Sequence, residues 1–381
     1  MQQNSIDIEK WLQLIRADGV GPVTFAKLLK HFGSVDKALG ASVKELTNID
    51  GIADRTAEAI AHARNIFNAK AELELAEKLG VWIIHFEDER FPPVLKSIYD
   101  PPPVLYIKGS LTKNDNLAVA IVGSRRCSLY GQEQSSRFGH LLASAGFTIV
   151  SGMARGIDTA AHQGALAAGG RTIAVQGCGL ANIYPQENTN LYKKILESGA
   201  VISELPLQFE PRSENFPARN RIIAGLSLGT IVIEAPFNSG ALITAKAAID
   251  YNREVMAVPG KIDSPLNRGA HQLIKQGAKL IESVADVTEA LGYVGEQLTG
   301  YAIEAAKRAE EKMGLPLIDI KQFNLSKSEK AVYEYLHKEP LHIEQIISDT
   351  GLQAGEISSA LISLQLKGVV KQLPGSYFVR R

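Results

Sequence analysis

Ala118-Val119-Ala120-Ile121-Val122-Gly123-Ser124-Arg125-Arg126 decides the fold of this chain. An unbroken apolar run rich in β-branched residues reads as a strand buried on both faces, the kind found in parallel sheets. The Gly-Ser-Arg loop follows at once. A helix-like segment over 131–145 then carries Phe138, Leu141 and Leu142 on one face. A second buried strand, Phe147-Thr148-Ile149-Val150, runs into Ser151-Gly152-Met153-Ala154-Arg155-Gly156-Ile157-Asp158. Strand, helix and strand in this order make a βαβ unit. Its two strand-end loops leave the sheet at the carboxyl edge, where open parallel sheets bind their ligands. Glycine lets a phosphate reach the backbone N–H groups, the next helix offers its positive end, and arginine adds a fork of donors.

The alternation continues down the chain. Thr172-Ile173-Ala174-Val175 leads to Gly177-Cys178-Gly179, and strands are expected again at 200–204, 230–235 and 255–260, with a short last one at 279–281. This pattern predicts an α/β fold with a Rossmann-like central parallel sheet, helices on both faces, over 76–293. Ahead of it, Val81-Trp82-Ile83-Ile84-His85 reads as an extra strand. Pro92-Pro93 and Pro101-Pro102-Pro103 break helices, so a short helix and a proline-fixed lead into the sheet are expected up to Gly109. No Gly-x-Gly-x-x-Gly fingerprint with a downstream acid occurs, which speaks against NAD or FAD, and no cofactor is expected.

Residues 1–75 look helical and carry two similar hairpins, Ala17-Asp18-Gly19-Val20-Gly21-Pro22 and Ile49-Asp50-Gly51-Ile52-Ala53. Both resemble helix-hairpin-helix motifs, whose Gly-x-Gly turn points N–H groups at a nucleic-acid phosphate. The second has Ala53 where the motif has its second glycine. The other reading is a small helical bundle with glycine C-caps. Residues 294–324 are charged and poor in apolar residues and read as a linker. Residues 325–381 read as three helices and a hairpin around Pro374-Gly375, a winged helix-turn-helix.

Lys+Arg and Asp+Glu number 41 each in 381 residues, so a polyanion site would have to be a local patch. Cys127 and Cys178 make no disulfide framework and show no metal-ligand spacing, as suits a reducing cytoplasm without a bound metal. The first residues do not resemble a signal peptide and no apolar run would span a bilayer, so a cytoplasmic protein without a membrane partner is expected.

The cations are placed where a single strand would need them. Arg125, Arg126 and Arg155 sit on strand-end loops; Arg212, Arg219 and Arg221 crowd one segment with Phe216 among them; Lys246, Arg268 and Lys275 come later. Cations track phosphates and an aromatic ring can stack on a base. Structural roles compete at each position. Arg155 could pair with Asp158 or another nearby carboxylate, one of Arg219 and Arg221 could buttress the fold, and Phe216 could be core. Asp158 and Glu234 read as structural, His162 and His271 as surface or helix-cap residues, and Tyr184 as packed on Pro185.

Five motifs in sequence carry a family resemblance: Gly123-Ser124-Arg125, Ser151-Gly152-x-x-x-Gly156-x-Asp158, the segment from Phe216-Pro217-Ala218-Arg219-Asn220-Arg221 to Ile223, Ser239-Gly240-x-x-x-Thr244-Ala245 and Ala257-Val258-Pro259-Gly260. Together they are similar to the DNA-processing protein A (DprA/Smf) family, across nearly the whole chain. The resemblance implies a homodimer that binds single-stranded DNA and hands it to the RecA recombinase during natural transformation, with no established catalytic activity. It implies that Gly123-Ser124-Arg125 grips a phosphate and that Phe216 contacts a base. Taken with the loop cations, the DNA-contacting set expected is Gly123, Ser124, Arg125, Arg126, Ser151, Gly152, Arg155, Arg212, Phe216, Arg219, Asn220, Arg221, Ser239, Gly240, Lys246 and Arg268. Two rival functions stand beside it. Gly225-Leu226-Ser227-Leu228-Gly229-Thr230 to Glu234 distantly resembles the phosphate loop of nucleotide phosphoribohydrolases, without its leading Pro-Gly-Gly. The winged helix could serve a transcription regulator, yet its third helix carries no Lys or Arg before Lys367, and groove-reading helices need cations for the phosphates. An interaction or auxiliary role fits that tail better.

Overall fold

The structure, a computed structural model, describes residues 2–292, 304–306, 308–310, 325–336, 339–366 and 369–380. The chain forms two compact units, 1–309 and 310–381. The linker expected over 294–324 lies largely outside the described residues.

Nine strands make one sheet in the first unit: β1 Val81–His85, β2 Val104–Gly109, β3 Ala118–Val122, β4 Thr148–Ser151, β5 Thr172–Val175, β6 Ala200–Ser203, β7 Gly229–Val232, β8 Glu254–Ala257 and β9 Lys279–Leu280. Their order across the sheet is β1-β2-β6-β5-β4-β3-β7-β8-β9. β6 through β9 are parallel, while β1 and β2 run antiparallel at one side. The chain winds outward from β3 to β6, then returns to lay β7 beside β3. The strand order therefore reverses between β3 and β7, and such a switch point opens a crevice at the carboxyl ends.

Alternate residues of a strand face opposite sides, and the core follows this rule. Ala118, Ala120 and Val122 meet Ile222, Ala245 and Ala270 from the helices Asn215–Gly225, Gly240–Asp250 and Arg268–Lys275 on one face. Val119 and Ile121 meet Phe138, Leu142 and Ala161 from the helices Leu129–Ser144 and Ile157–Ala167 on the other. The stretch read as a proline-fixed lead is a full strand, β2. Its proline run precedes Val104 and so removes no donor from the ladder, and Val104 to Ile107 are all buried.

The two N-terminal hairpins are built alike. Gly19 and Gly51 take φ of 81° and 84°, which places both turns in the left-handed region. Ala53 and Gly21 both precede their helices in extended backbone, so alanine replaces the glycine without strain. The hairpins also hold each other. Lys27 Nζ of the first donates to the Asp50 carbonyl at 2.9 Å, and Arg55 of the second donates to the Asp18 carboxylate at 2.7 Å. Trp11, Phe25 and Leu28 of this front share one core with Val104, Tyr106 and Val201 of the sheet.

Among its described residues the second unit has three helices, Lys327–Tyr335, Ile343–Thr350 and Ala354–Leu366, and a three-stranded sheet, Leu341–His342, Val370–Leu373 and Tyr377–Arg380. This is the expected winged helix with one added short strand. The solvent face of its third helix presents Gly355, Ser359, Ile362 and Leu366, with no cation. Among the described residues no helix is long and apolar enough to cross a membrane.

Candidate nucleic-acid interface

A cleft of about 670 Å³ lies at the switch point. The loops after β3 and β7 form its walls, through Gly123 to Arg126 and through Pro236, Ser239 and Gly240. The helix Asn215–Gly225 closes one side with Phe216, Arg219 and Asn220. The Gly-Ser-Arg loop is pinned from below: Ser124 N–H donates to the Glu234 carbonyl at 2.7 Å, and Arg126 N–H donates to Ser124 Oγ at 3.1 Å. Arg125 and Arg126 project outward, exposed, and among the described residues neither makes an ion pair. Ser239 caps the helix Gly240–Asp250, whose positive end opens into the cleft.

Phe216 stands half-buried in the cleft wall rather than in the core. Its ring lies 5.3 Å from that of Tyr184, and the Arg125 guanidinium sits 5.0 Å over it. Gly177 is a glycine for this ring: a Cβ there would come within 2.8 Å of Phe216. Tyr184 therefore belongs to the site and not merely against Pro185. Its position in a glycine-rich loop after β5 was the available signal.

Arg219 is the buttress of its pair of arginines. It is buried, donating to the carbonyls of Gly152 (2.8 Å) and Val175 and to Asn220 Oδ1 (3.1 Å). Burial pushes its guanidinium down to about 10, leaving it charged at neutral pH. It underlies the cleft floor, beneath Phe216, and its field reaches Asp158. Burial raises that carboxyl above its ordinary value against the pull of Arg219, and Asp158 accepts from the N–H of Gly152 at 3.1 Å and of Ala154 at 3.3 Å. Gly152 is needed here because a Cβ would meet the Arg219 guanidinium at 2.5 Å.

The remaining members of the expected set separate. Ser151 leaves it: the hydroxyl is wholly buried and donates to the Ile121 carbonyl at 2.6 Å, tying β4 to β3. Arg221 leaves it too, because it points to the antiparallel side, bonded to the Glu204 carboxylate and to the Asp100 carbonyl at 2.6 Å. Arg155 is exposed but paired with Glu187, at 2.7 Å through Nη2, and not with Asp158. Arg212 lies over Phe209 at 5.4 Å. Lys246 and Arg268 are exposed beyond the cleft lining. Asn220 lines the cleft, with its amide donating to the Gly240 carbonyl at 3.1 Å.

Glu234 is structural, accepting from Ser128 N–H at 2.8 Å and Ser128 Oγ at 2.6 Å. The run 225–230 that resembles a phosphoribohydrolase loop leads into β7 and includes its first two residues. It lies at the amino end of that strand, opposite the cleft, and Ser227 is buried with its hydroxyl on the Ile223 carbonyl at 2.9 Å.

His162 is a correction. It is fully buried, not on the surface, with Nδ1 2.6 Å from Thr172 Oγ1. Burial pushes it down to about 3, so it is neutral in the fold. Below pH of about 6.5 the unfolded chain takes up a proton that the folded one does not, so this residue's share of stability is lost as pH falls. The urea midpoint of the parent should drop relative to that of His162→Gln between about pH 6.5 and pH 4. Parallel pH responses would mean that the imidazole titrates in the fold.

Family comparisons agree with this geometry. The model of the DNA recombination-mediator protein A family matches residues 82–292, that of the DprA winged helix domain 321–376, and that of the DprA-like N-terminal helix-hairpin-helix domain 7–59. Protein Smf of Synechocystis is 36% identical over 97% of this chain and 98% of its own length. DNA processing protein DprA of Streptococcus pneumoniae is 46% identical over 52% of this chain and 71% of that one. The X-ray structure of Streptococcus pneumoniae DprA superposes with a TM-score of 0.65 at 36% identity, covering 73% of this chain and 96% of the other. With its fold, its motifs and the order of its three parts all in agreement, the chain belongs to the DNA recombination-mediator protein A family, the DprA/Smf proteins.

Proposed function

We propose that the strand-end cleft binds single-stranded DNA without sequence preference and that the protein hands this strand to the RecA recombinase during DNA uptake, acting as a homodimer and without catalysis. One observation carries the binding step: two exposed arginines that make no ion pair among the described residues, Arg125 and Arg126, flank an open aromatic wall of Phe216 and Tyr184 at the sheet's switch point. Cations over phosphates and rings under bases are the chemistry of single-strand sites.

The test is fluorescence anisotropy with single- and double-stranded oligonucleotides at two salt concentrations. Tighter binding of the single strand is expected, with a slope of about −0.7 in log K against log salt for each phosphate neutralised. A flat salt response, or a preference for one duplex sequence, would overturn the reading. RecA loading is tested separately, by RecA filament formation on strand precoated with single-strand binding protein.

Deleting residues 325–381 should leave single-strand affinity within a few-fold of intact. The solvent face of the third helix carries Ile362 and Leu366 in place of cations, 58% and 86% exposed. A hundredfold loss would move the main DNA contact to the winged helix.

A further inference from the structure

Two exposed apolar side chains lie on the same carboxyl edge as the cleft but outside its lining. Phe237, on the loop after β7, is 55% exposed, and Ile262, on the loop after β8, is 91% exposed. β7 and β8 are parallel neighbours, so the two loops leave the sheet side by side. Phe237 follows Pro236, a wall of the cleft, and Ile243, another wall residue, is 44% exposed one turn into the next helix. Exposed cations flank this row: Arg126 on the β3 side, and Lys261 and Arg268 on the β8 side. Asp263 is the one exposed carboxylate on these two loops.

We propose that the single strand does not end in the cleft but continues across the edge toward β8, with Phe237 as a second stacking platform and Ile262 as an apolar rest beyond it. The inference rests on the single-strand reading of the cleft and extends it. The edge from the β5 loop, with Tyr184, to the β8 loop covers four strand spacings, roughly 19 Å. At the duplex rise of about 3.4 Å per phosphate this accommodates no more than about six nucleotides. Aromatic and cationic residues alternate along it: Phe216, Arg125 and Arg126, then Phe237, then Arg268. A polyanion with stackable apolar faces matches both elements of the row, its phosphates the cations and its bases the rings.

The experiment uses the full chain and oligothymidylates of increasing length. Phe237→Ala should weaken binding of a twelve-nucleotide strand about tenfold, the size of a lost base–aromatic stack, with an unchanged salt slope. It should leave a strand too short to reach β7 and β8 unaffected. Phe237→Trp should retain affinity and show quenching of the added indole when the strand binds, a signal that a merely structural role would not give. Because Phe237 is exposed, neither change should alter thermal unfolding. If the parent binds single strands and Phe216→Ala weakens them, while Phe237→Ala matches the parent at every length, the extended track is wrong and the cleft reading stands. If the parent itself does not bind, the cleft reading fails with it. Unchanged DNA affinity with an altered sedimentation mass would assign the patch to a second copy of the chain and also overturn the proposal.

Discussion

Arg219→Ala should lower the unfolding free energy by about 3–5 kcal/mol, the range found when one member of a buried charged network is removed. The carbonyls of Gly152 and Val175 would lose their donor, and Asp158 would lose the buried cation that favours its charged form. For a chain of this size the midpoint of thermal unfolding should fall on the order of 10 °C. Arg219→Lys should recover only part of this, since one ammonium cannot bridge three acceptors held in a fork. Circular dichroism melts of the three proteins make the comparison. A variant that melts with its parent would mean that the guanidinium does not brace the β4 and β5 ends, and that the arginine is kept for the ligand instead.

Arg125 and Phe216 should both lower single-strand affinity when replaced by alanine, by different routes. Losing Arg125 removes a charge-assisted phosphate contact, and the salt slope should flatten by about 0.7. Losing Phe216 removes a stack worth roughly 1–3 kcal/mol with the slope unchanged. The structure adds a condition. Arg125 rests over the Phe216 ring in the free protein, at 5.0 Å, so each orders the other. Residues in direct contact couple, and the double variant should lose less than the sum of the singles by at least about 0.5 kcal/mol. Strict additivity would show that the arginine leaves the ring before the strand arrives. Parental affinity in both single variants would remove the cleft as the DNA site.

The sheet was legible because its central parallel strands, β3 to β7, are buried on both faces and appear as short apolar runs, and β3 and β4 run straight into Gly123 and Gly152. Their loops must then share one edge, so the place of the candidate cleft followed from the chain alone. The role of each arginine did not follow, because partners far away in sequence decide it. Glu187 takes Arg155 from 32 residues on, and Arg221 is claimed by Asp100, 121 residues back. His162 shows that even a near partner can be hidden: Thr172 is ten residues on, and only the return of the chain into β5 brings it beside the ring. Ser151 reads as a loop residue next to Gly152, yet strand pairing carries the ladder through it. β2 was hidden by the proline run before it. Phe237, between a proline and an asparagine, has no periodic signal at all and stands out only once its exposure is known.

The shared packing of Trp11, Phe25 and Leu28 with Val104, Tyr106 and Val201 bears on how the molecule opens. Elements that bury one another lose their protection in the same event. Backbone amides of the N-terminal hairpins and of β2 should therefore exchange with deuterium at matching, slow rates, set by one opening of the whole layer. A fragment starting after residue 75 would lay bare one side of β2 and β6, and the hairpins alone would keep half of a core. The front helices behave energetically as an added layer of the sheet.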